Sequence, residues 1–526
     1  MIESATTRQG RLTGIATRTG SAFLGIGYAA PPVGDLRWRP PVDPPAWQGS
    51  RAADRHSPVA MQFLPAPNSL YHPGSPPQSE DCLTLNIWTD AHSRGERRPV
   101  MVWFHLGAFM FGSSACTTAP DGKLLFDGSG LAALGVVVVT VNYRLGRLGF
   151  LAHPLLTAES GHDASGNYGF MDQVAALRWV RDNIAEFGGD PENVTIFGVS
   201  AGSASCSMHM ASPLSKGLFH RAIAGSGAFM GPPSRDSGLF DRLLDLPSAE
   251  QRGVQVSEAL GAESLDALRA LPAAAVMAVE IPMEPGRWYM EGLGGYLGEG
   301  AADTNYPIVD GYALPDSPAA IIRAGAHNDV PLLTGSTLDD CSGLPGIRTL
   351  AEYDAYLRAD MGALADAALQ AYPANDDQAA LRASGDLLAD RVFGWQNWTW
   401  ANLAARHGSR PVYYYDWSYA PPIPEGRYLE SGFGAVHAAE MPYIFRNLTA
   451  YDWSWTERDE KMSDLVSRYW VNFARSGNPD GDGLPHWPPF DGRNGPAMQL
   501  GETVAVSEPQ RRERFSVLDA YYSREG

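Results

Sequence analysis

Cysteine is scarce in this chain: four residues in 526, Cys82, Cys116, Cys206 and Cys341, all far apart. None stands in a C-x-x-C spacing, so the sequence encodes neither a zinc ribbon nor a dithiol redox centre, and small buried thiols are expected. Long apolar runs are missing too. The richest, Leu131 to Val139, is far too short to cross a bilayer. The opening MIESATTRQGRL lacks the apolar core of an export signal, and the first apolar run, Phe23 to Ala30, ends in Pro31-Pro32. A cytoplasmic location is therefore expected, which leaves the N-x-[ST] sequons at Asn193, Asn397 and Asn447 idle. Positive charge is the third shortage, with 40 Lys plus Arg against 59 Asp plus Glu and a formal charge of −19. Such a surface repels nucleic acid and anionic membranes, and neither is expected as a partner. With 44% hydrophobic residues, no internal repeat and no disordered linker, a single large domain over residues 1–526 is the simplest reading.

Strands alternating with helices run through most of that length. Residues 11 to 60 alternate short apolar runs with proline-rich turns, which predicts a small antiparallel edge. Cys82 to Trp88 and Val100 to Phe104 read as strands, and the β-branched run Gly135 to Asn142 reads as a strand covered on both faces. Phe170 to Phe187 carries Val174, Leu177, Val180 and Ile184 at helical spacing and stops at Gly188-Gly189. Further strands are predicted at Arg221 to Gly225, Val330 to Gly335 and Pro411 to Trp417, with a last long helix over Lys461 to Arg475. The class is α/β, a large mostly parallel sheet flanked by helices. Over 231–330 the alternation loosens into amphipathic helices, such as Glu258 to Leu271, and glycine-rich loops, an insertion of the kind that roofs a pocket.

The chemistry concentrates in NVTIFGVSAGSAS, Asn193 to Ser205. A β-branched strand runs into Gly198-Val199-Ser200-Ala201-Gly202, the G-x-S-x-G elbow in its required strand-to-helix setting. Its glycines admit a turn so tight that strand and helix nearly touch. Ser200 then stands clear of the sheet edge, and the N–H of Ala201 faces outward at a helix start.

A serine hydroxyl needs a histidine to take its proton and a carboxylate to hold that histidine, in the chain order Ser, acid, His on this kind of sheet. Among the later histidines, His209 and His220 belong to the elbow helix and its exit, and His327 precedes a strand. His407 falls at a helix C-terminus and His486 in the proline-flanked LPHWPP. His437 follows a strand by a long loop and is preceded by SGFGAV, whose glycines let the backbone reach over a cleft. For the acid, Asp339 and Asp340 both follow the strand VPLLTG and Asp310 follows YPIV; spacing alone does not separate the first two. Donors for an oxyanion are expected after strand Val100 to Phe104, where His105-Leu106-Gly107-Ala108-Phe109 stands in the place of an HGGG-type loop.

These motifs, together with FLGIGYAAPPVGDLRWRPP, SEDCLTLNIW, PVMVWFHLGAFMFGSS, VVVTVNYRLGRLGFL, GAVHAAEMPYIF and YWVNFARSGNPD, closely resemble the type-B carboxylesterase family, the α/β-hydrolases that include the cholinesterases. The likeness covers nearly the whole chain. It implies an α/β-hydrolase fold, with Ser200 as nucleophile, Asp340 as acid and His437 as base. It also implies oxyanion donors at Gly107, Ala108 and Ala201, and a supporting pair, Ser226 and Glu440, behind the histidine. Arg37 with Glu80 and Arg144 with Asp172 match structural salt bridges of that family.

Several positions depart from the family pattern. Asp340 replaces the usual Glu and is one methylene shorter, so the backbone must come closer to His437. Val199 replaces the usual Glu before the serine, which argues against a cationic choline-type substrate. Leu106 and Ala108 replace glycines and narrow the space beside the oxyanion, and Cys82 has no upstream cysteine in SPVAMQ, which agrees with a reducing compartment. The expected activity is hydrolysis of small carboxylic esters through an acyl-enzyme, with neither metal nor organic cofactor, by a monomer or weak homo-oligomer. Trp288, Tyr289, Trp395 and Trp398 are candidates for an apolar gorge, with core packing as their alternative. The rival functions are a non-catalytic neuroligin-like binding module, and a lipase or thioesterase on the same triad.

Overall fold

In the computed structural model the β-branched runs resolve into an eleven-stranded sheet. The described residues are all except 66–68, 119–122, 233–242, 282–304, 342–345, 425–433, 493–494 and 525–526. In chain order the strands are β1 (Ile15–Ala16), β2 (Ser21–Gly27), β3 (Thr84–Thr89), β4 (Arg98–Phe104), β5 (Val137–Val141) and β6 (Gly189–Val199). They continue with β7 (Arg221–Gly225), β8 (Leu332–Thr337), β9 (Val412–Trp417), β10 (Ala497–Leu500) and β11 (Val504–Ser507). Spatially they run β11-β10-β9-β8-β7-β6-β4-β5-β3-β2-β1. Pairing from β10 through to β5 is parallel, and both flanks are antiparallel. The antiparallel N-terminal edge is the one expected from residues 11 to 60, supplemented by a small sheet of Ser4–Thr6, Arg11–Thr13 and Ser50–Ala52.

Burial follows the sequence pattern. Every residue of Val137–Val141 is buried, as a β-branched strand covered by helices on both faces must be. The helix Tyr168–Asn183 covers one face and tightens into a 3-10 turn, Ile184–Phe187, that Gly188 ends in the left-handed conformation. The helix Glu457–Ser476 covers the other, its start fixed by a capping box between Thr456 and Asp459. Two arginine pairs pin loops to this frame: Arg37 meets Glu80 at 2.6 Å, and Arg144 meets Asp172 through two hydrogen bonds, at 2.8 and 2.7 Å. All four cysteines are free and buried, with their thiols pushed up by burial, Cys116 to about 12. Among the described residues no helix is long and apolar enough to cross a membrane.

The insertion differs from expectation. In place of one helix over Glu258 to Leu271, the chain forms two, Leu246–Ala259 and Leu265–Ala270. Gly261, at φ +64°, turns the backbone left-handed between them, and the Ser264 hydroxyl caps the second by accepting from the Ala267 N–H. The apolar spacing carries across this break, so periodicity alone does not reveal it. Trp288 and Tyr289 lie outside the described residues. Trp395 and Trp398 are core residues: Trp395 stacks on Tyr522 at 4.2 Å and donates to Asp519, and Trp398 packs on Phe515. Their alternative reading, packing, is the observed one.

Candidate active site

The sheet register brings the working loops together. Parallel pairing sets Gly198 beside Phe104, Val199 beside Gly225, and Gly225 beside Gly335. The residues that follow β4, β6, β7 and β8 therefore emerge side by side at the carboxyl edge, where open α/β sheets bind ligands.

At the elbow Ser200 sits at φ 60°, ψ −124°, a strained conformation for a side-chain-bearing residue, at the start of the helix Ala201–Ala211. Its own N–H donates to Gly225 O at 2.9 Å, which ties the strained residue to the neighbouring strand. The turn is tight because of Gly198 and Gly202. A Cβ on Gly198 would lie 2.6 Å from the Gly202 Cα, and one on Gly202 would strike the carbonyl of Phe104.

After β7, Ser226 adopts φ 49° and donates its hydroxyl to Asp340 Oδ2 at 3.0 Å, while accepting from the Thr337 N–H at 3.1 Å. The other Asp340 oxygen meets His437 Nδ1 at 2.8 Å. The neighbouring Asp339 has a different task. Its Oδ2 accepts from Ala435 N at 2.8 Å, and its N–H donates to Ala435 O at 3.1 Å. That strap draws the histidine loop onto the acid loop, which answers the shorter reach of an aspartate. Asp310 closes a local turn, accepting from the N–H groups of Tyr312 and Leu314. His437 is further held by Tyr71, whose hydroxyl donates to its carbonyl at 3.0 Å. Phe393 stacks on its ring at 4.3 Å between centroids.

Three of the other candidate histidines have structural partners. His209 is buried between Phe104 and Phe170 with Nδ1 2.7 Å from Ser215 Oγ. His220 Nδ1 accepts from Val194 N, and His486 faces Asp480 on the surface.

After β4 the loop turns at Gly107, Ala108 and Phe109, with φ of 117°, 51° and 57°. The amides of Gly107 and Ala108 donate to no acceptor among the described residues, and the Ala201 N–H opens a helix, where no intrahelical acceptor exists. Two residues that no sequence signal singles out brace this loop. Gln62 accepts from Gly112 N at 2.7 Å and donates to Gly112 O at 3.1 Å, and Tyr143 stacks on His105 and donates to its carbonyl. Burial holds His105 neutral, its pKa lowered to about 4. Leu106 is buried and lines, with His437, Cys116, Phe126, Met441 and Trp453, an apolar hollow.

Glu440 is fully buried, and neither carboxyl oxygen has a partner at hydrogen-bond geometry among the described residues. Burial pushes its carboxyl up to about 8, reinforced by the negative charge of Asp340 and moderated by the nearby Tyr415 hydroxyl. A proton bound more tightly in the folded than in the unfolded chain stabilises fully below the ordinary value of 4.5 and ceases to do so as pH rises to about 8. Glu440→Gln mimics the protonated form, so its melting temperature is expected to overtake that of the parent protein as pH rises through this window. The difference by pH 8 is on the order of 4 kcal/mol. Thermal melts from pH 5 to 8.5 measure it; a constant offset would refute the assignment.

The sequence profile of the Carboxylesterase family matches residues 3–518. Fumonisin B1 esterase of Sphingopyxis macrogoltabida is 37% identical over 506 residues, 92% of this chain and 84% of that protein. Human cocaine esterase is 35% identical over 530 residues, 94% of this chain and 86% of its own length. Among solved structures, a PNB esterase superposes with a TM-score of 0.78 at 31% identity, covering 98% of this chain and 100% of the other.

Proposed function

The chain belongs to the carboxylesterase family and is a serine carboxylesterase, and from that premise we propose that Ser200, His437 and Asp340 perform the hydrolysis. The observation that carries this reading is the 2.8 Å Asp340–His437 contact, held beside the strained turn of Ser200 by adjoining strand ends. A buried carboxylate on Nδ1 keeps that nitrogen protonated and leaves Nε2 free to accept. Nε2 takes the Ser200 proton as Oγ bonds to the ester carbonyl carbon. The oxyanion that forms is stabilised by the amides of Gly107, Ala108 and Ala201, each worth on the order of 100- to 1000-fold. Collapse breaks the bond to the alkoxy oxygen, which leaves with the proton from Nε2. Water then repeats both steps on the acyl-enzyme and releases the acid.

The substrate we propose is a small neutral ester whose bulkier half is apolar. The hollow beside His437 supports this, and Val199, buried in the core, leaves no carboxylate before the serine to attract a cation. The four free thiols support a reducing compartment, and the cytoplasm is the proposed location. A fluorophosphonate is the direct test of the nucleophile. Intact-mass measurement is expected to show one phosphonyl group on the native chain and none on Ser200→Ala; equal labelling of both would refute the assignment.

A further inference from the structure

The chain between Ala389 and Trp395 does not continue the flanking helices. Asp390–Gly394, DRVFG, forms a single π-helical turn between Asp377–Ala389 and Trp395–His407. Such widened turns are costly and recur at functional sites, where they redirect one side chain. Here that side chain is Phe393, whose ring lies over the His437 imidazole with centroids 4.3 Å apart and planes within 26°. Tyr71 meets the same imidazole in an edge arrangement at 5.9 Å.

The turn is bolted in place. Asp390 is buried; its Oδ1 accepts from Arg511 Nη1 at 3.1 Å and its Oδ2 from the Tyr372 hydroxyl at 3.1 Å. Arg511 is buried as well and also donates to Ser336 Oγ, on the strand that leads to Asp340. Gly394 closes the turn directly beneath this pair. A Cβ there would lie 2.9 Å from Arg511 Nη1, 3.0 Å from Asp390 Oδ1 and 3.0 Å from Phe515. The ion pair, the glycine and the π turn form one rigid unit whose protruding member is Phe393.

We infer that Phe393 is a positioning residue for His437: it fixes the plane of the imidazole and stabilises, through its π face, the imidazolium that forms when the ring takes the Ser200 proton. A cation within about 6 Å of an aromatic face is attracted to it. Because the ring gains its positive charge as it takes the serine proton, that attraction is strongest in the transition state and lowers the barrier without tightening substrate binding. The inference rests on His437 being the base.

The test compares Phe393→Leu, which keeps bulk and loses the π face, with Phe393→Tyr, which keeps the face. On a short-chain p-nitrophenyl ester, Leu is expected to lower kcat roughly 5- to 10-fold with KM within about two-fold of the parent value. Tyr is expected to stay within about two-fold in both constants. In protein carrying 13C-ε1 histidine, the His437 resonance, assigned by its loss in His437→Gln, is expected to lose its ring-current shift in the Leu variant alone. Gly394→Ala provides an independent arm, disturbing the turn without touching either ring, and is expected to lower kcat in the same sense. A Leu variant with parent kcat, or one in which only KM rises, overturns the inference. If His437→Gln itself retains parent activity, the assignment of the base fails instead.

Discussion

Asp340→Asn is expected to lower kcat for ester hydrolysis about 10,000-fold with the fold intact. Asp340 accepts from both sides, from His437 Nδ1 at 2.8 Å and from Ser226 Oγ at 3.0 Å. An amide of the same shape cannot do so with two oxygens. If its NH2 faces the histidine, the ring is driven to the tautomer protonated on Nε2, which cannot take the serine proton. If its oxygen faces the histidine, the negative charge that steadied the imidazolium is gone. Asp339→Asn is the informative control. Its carboxylate holds backbone, accepting from Ala435 N, and an amide oxygen still accepts there. Its loss is expected to stay within about ten-fold, since the ring keeps its partner. Steady-state rates with a p-nitrophenyl ester, alongside thermal melts showing both variants folded, separate the two. Equal losses would mean that the acid has been misassigned.

Gly202→Val is expected to destroy the fold locally and, with it, all activity. Even one Cβ at this position would overlap the Phe104 carbonyl oxygen, stand 2.9 Å from its carbon and reach within 3.4 Å of His105 O. All three are backbone atoms of β4 and of the loop that follows it, and none can rotate away. Overpacking against movable side chains costs roughly 1–3 kcal/mol, and rigid partners raise that figure. Against a total stability of about 5–15 kcal/mol, the β-branched side chain leaves little soluble protein, and Gly202→Ala gives a weakened, nearly inactive enzyme. Denaturant midpoints and residual turnover of the soluble fraction measure both effects. A Gly202→Ala protein with parent midpoint and parent kcat would contradict the close approach of helix to strand.

The elbow was legible because its glycines stand where no Cβ fits, between a β-branched strand and a helix, and each of those features is local. His437 was legible by elimination, since the other histidines fall in helices, before strands or in proline-flanked turns. Asp340 was preferred to Asp339 through the family resemblance alone, because spacing does not separate them. One residue of register decides which carboxylate meets the imidazole, and that register is set by the pairing of Asp339 with Ala435, made across nearly a hundred residues. Phe393 was invisible for a related reason: the π turn that aims it is held by Arg511, more than a hundred residues further along. Asn397 reads as an idle sequon, which its burial fits, but its structural task has no sequence signal: the amide accepts from Gly227 N at 2.7 Å and donates to Thr334 Oγ1 at 2.8 Å, shoring up the loop beside Ser200. Packing partners of this sort leave no periodic trace.

The bolt above Gly394 joins distant parts of the chain. Arg511 follows Ser200, Asp340 and His437 in the sequence, yet it donates to Asp390 and to Ser336 beside them. Arg511 supplies the ion pair at Asp390, and Tyr372 the other contact that holds the turn beneath the imidazole. The setting of the imidazole thus leans on a side chain more than three hundred residues beyond the elbow serine, although the two never touch.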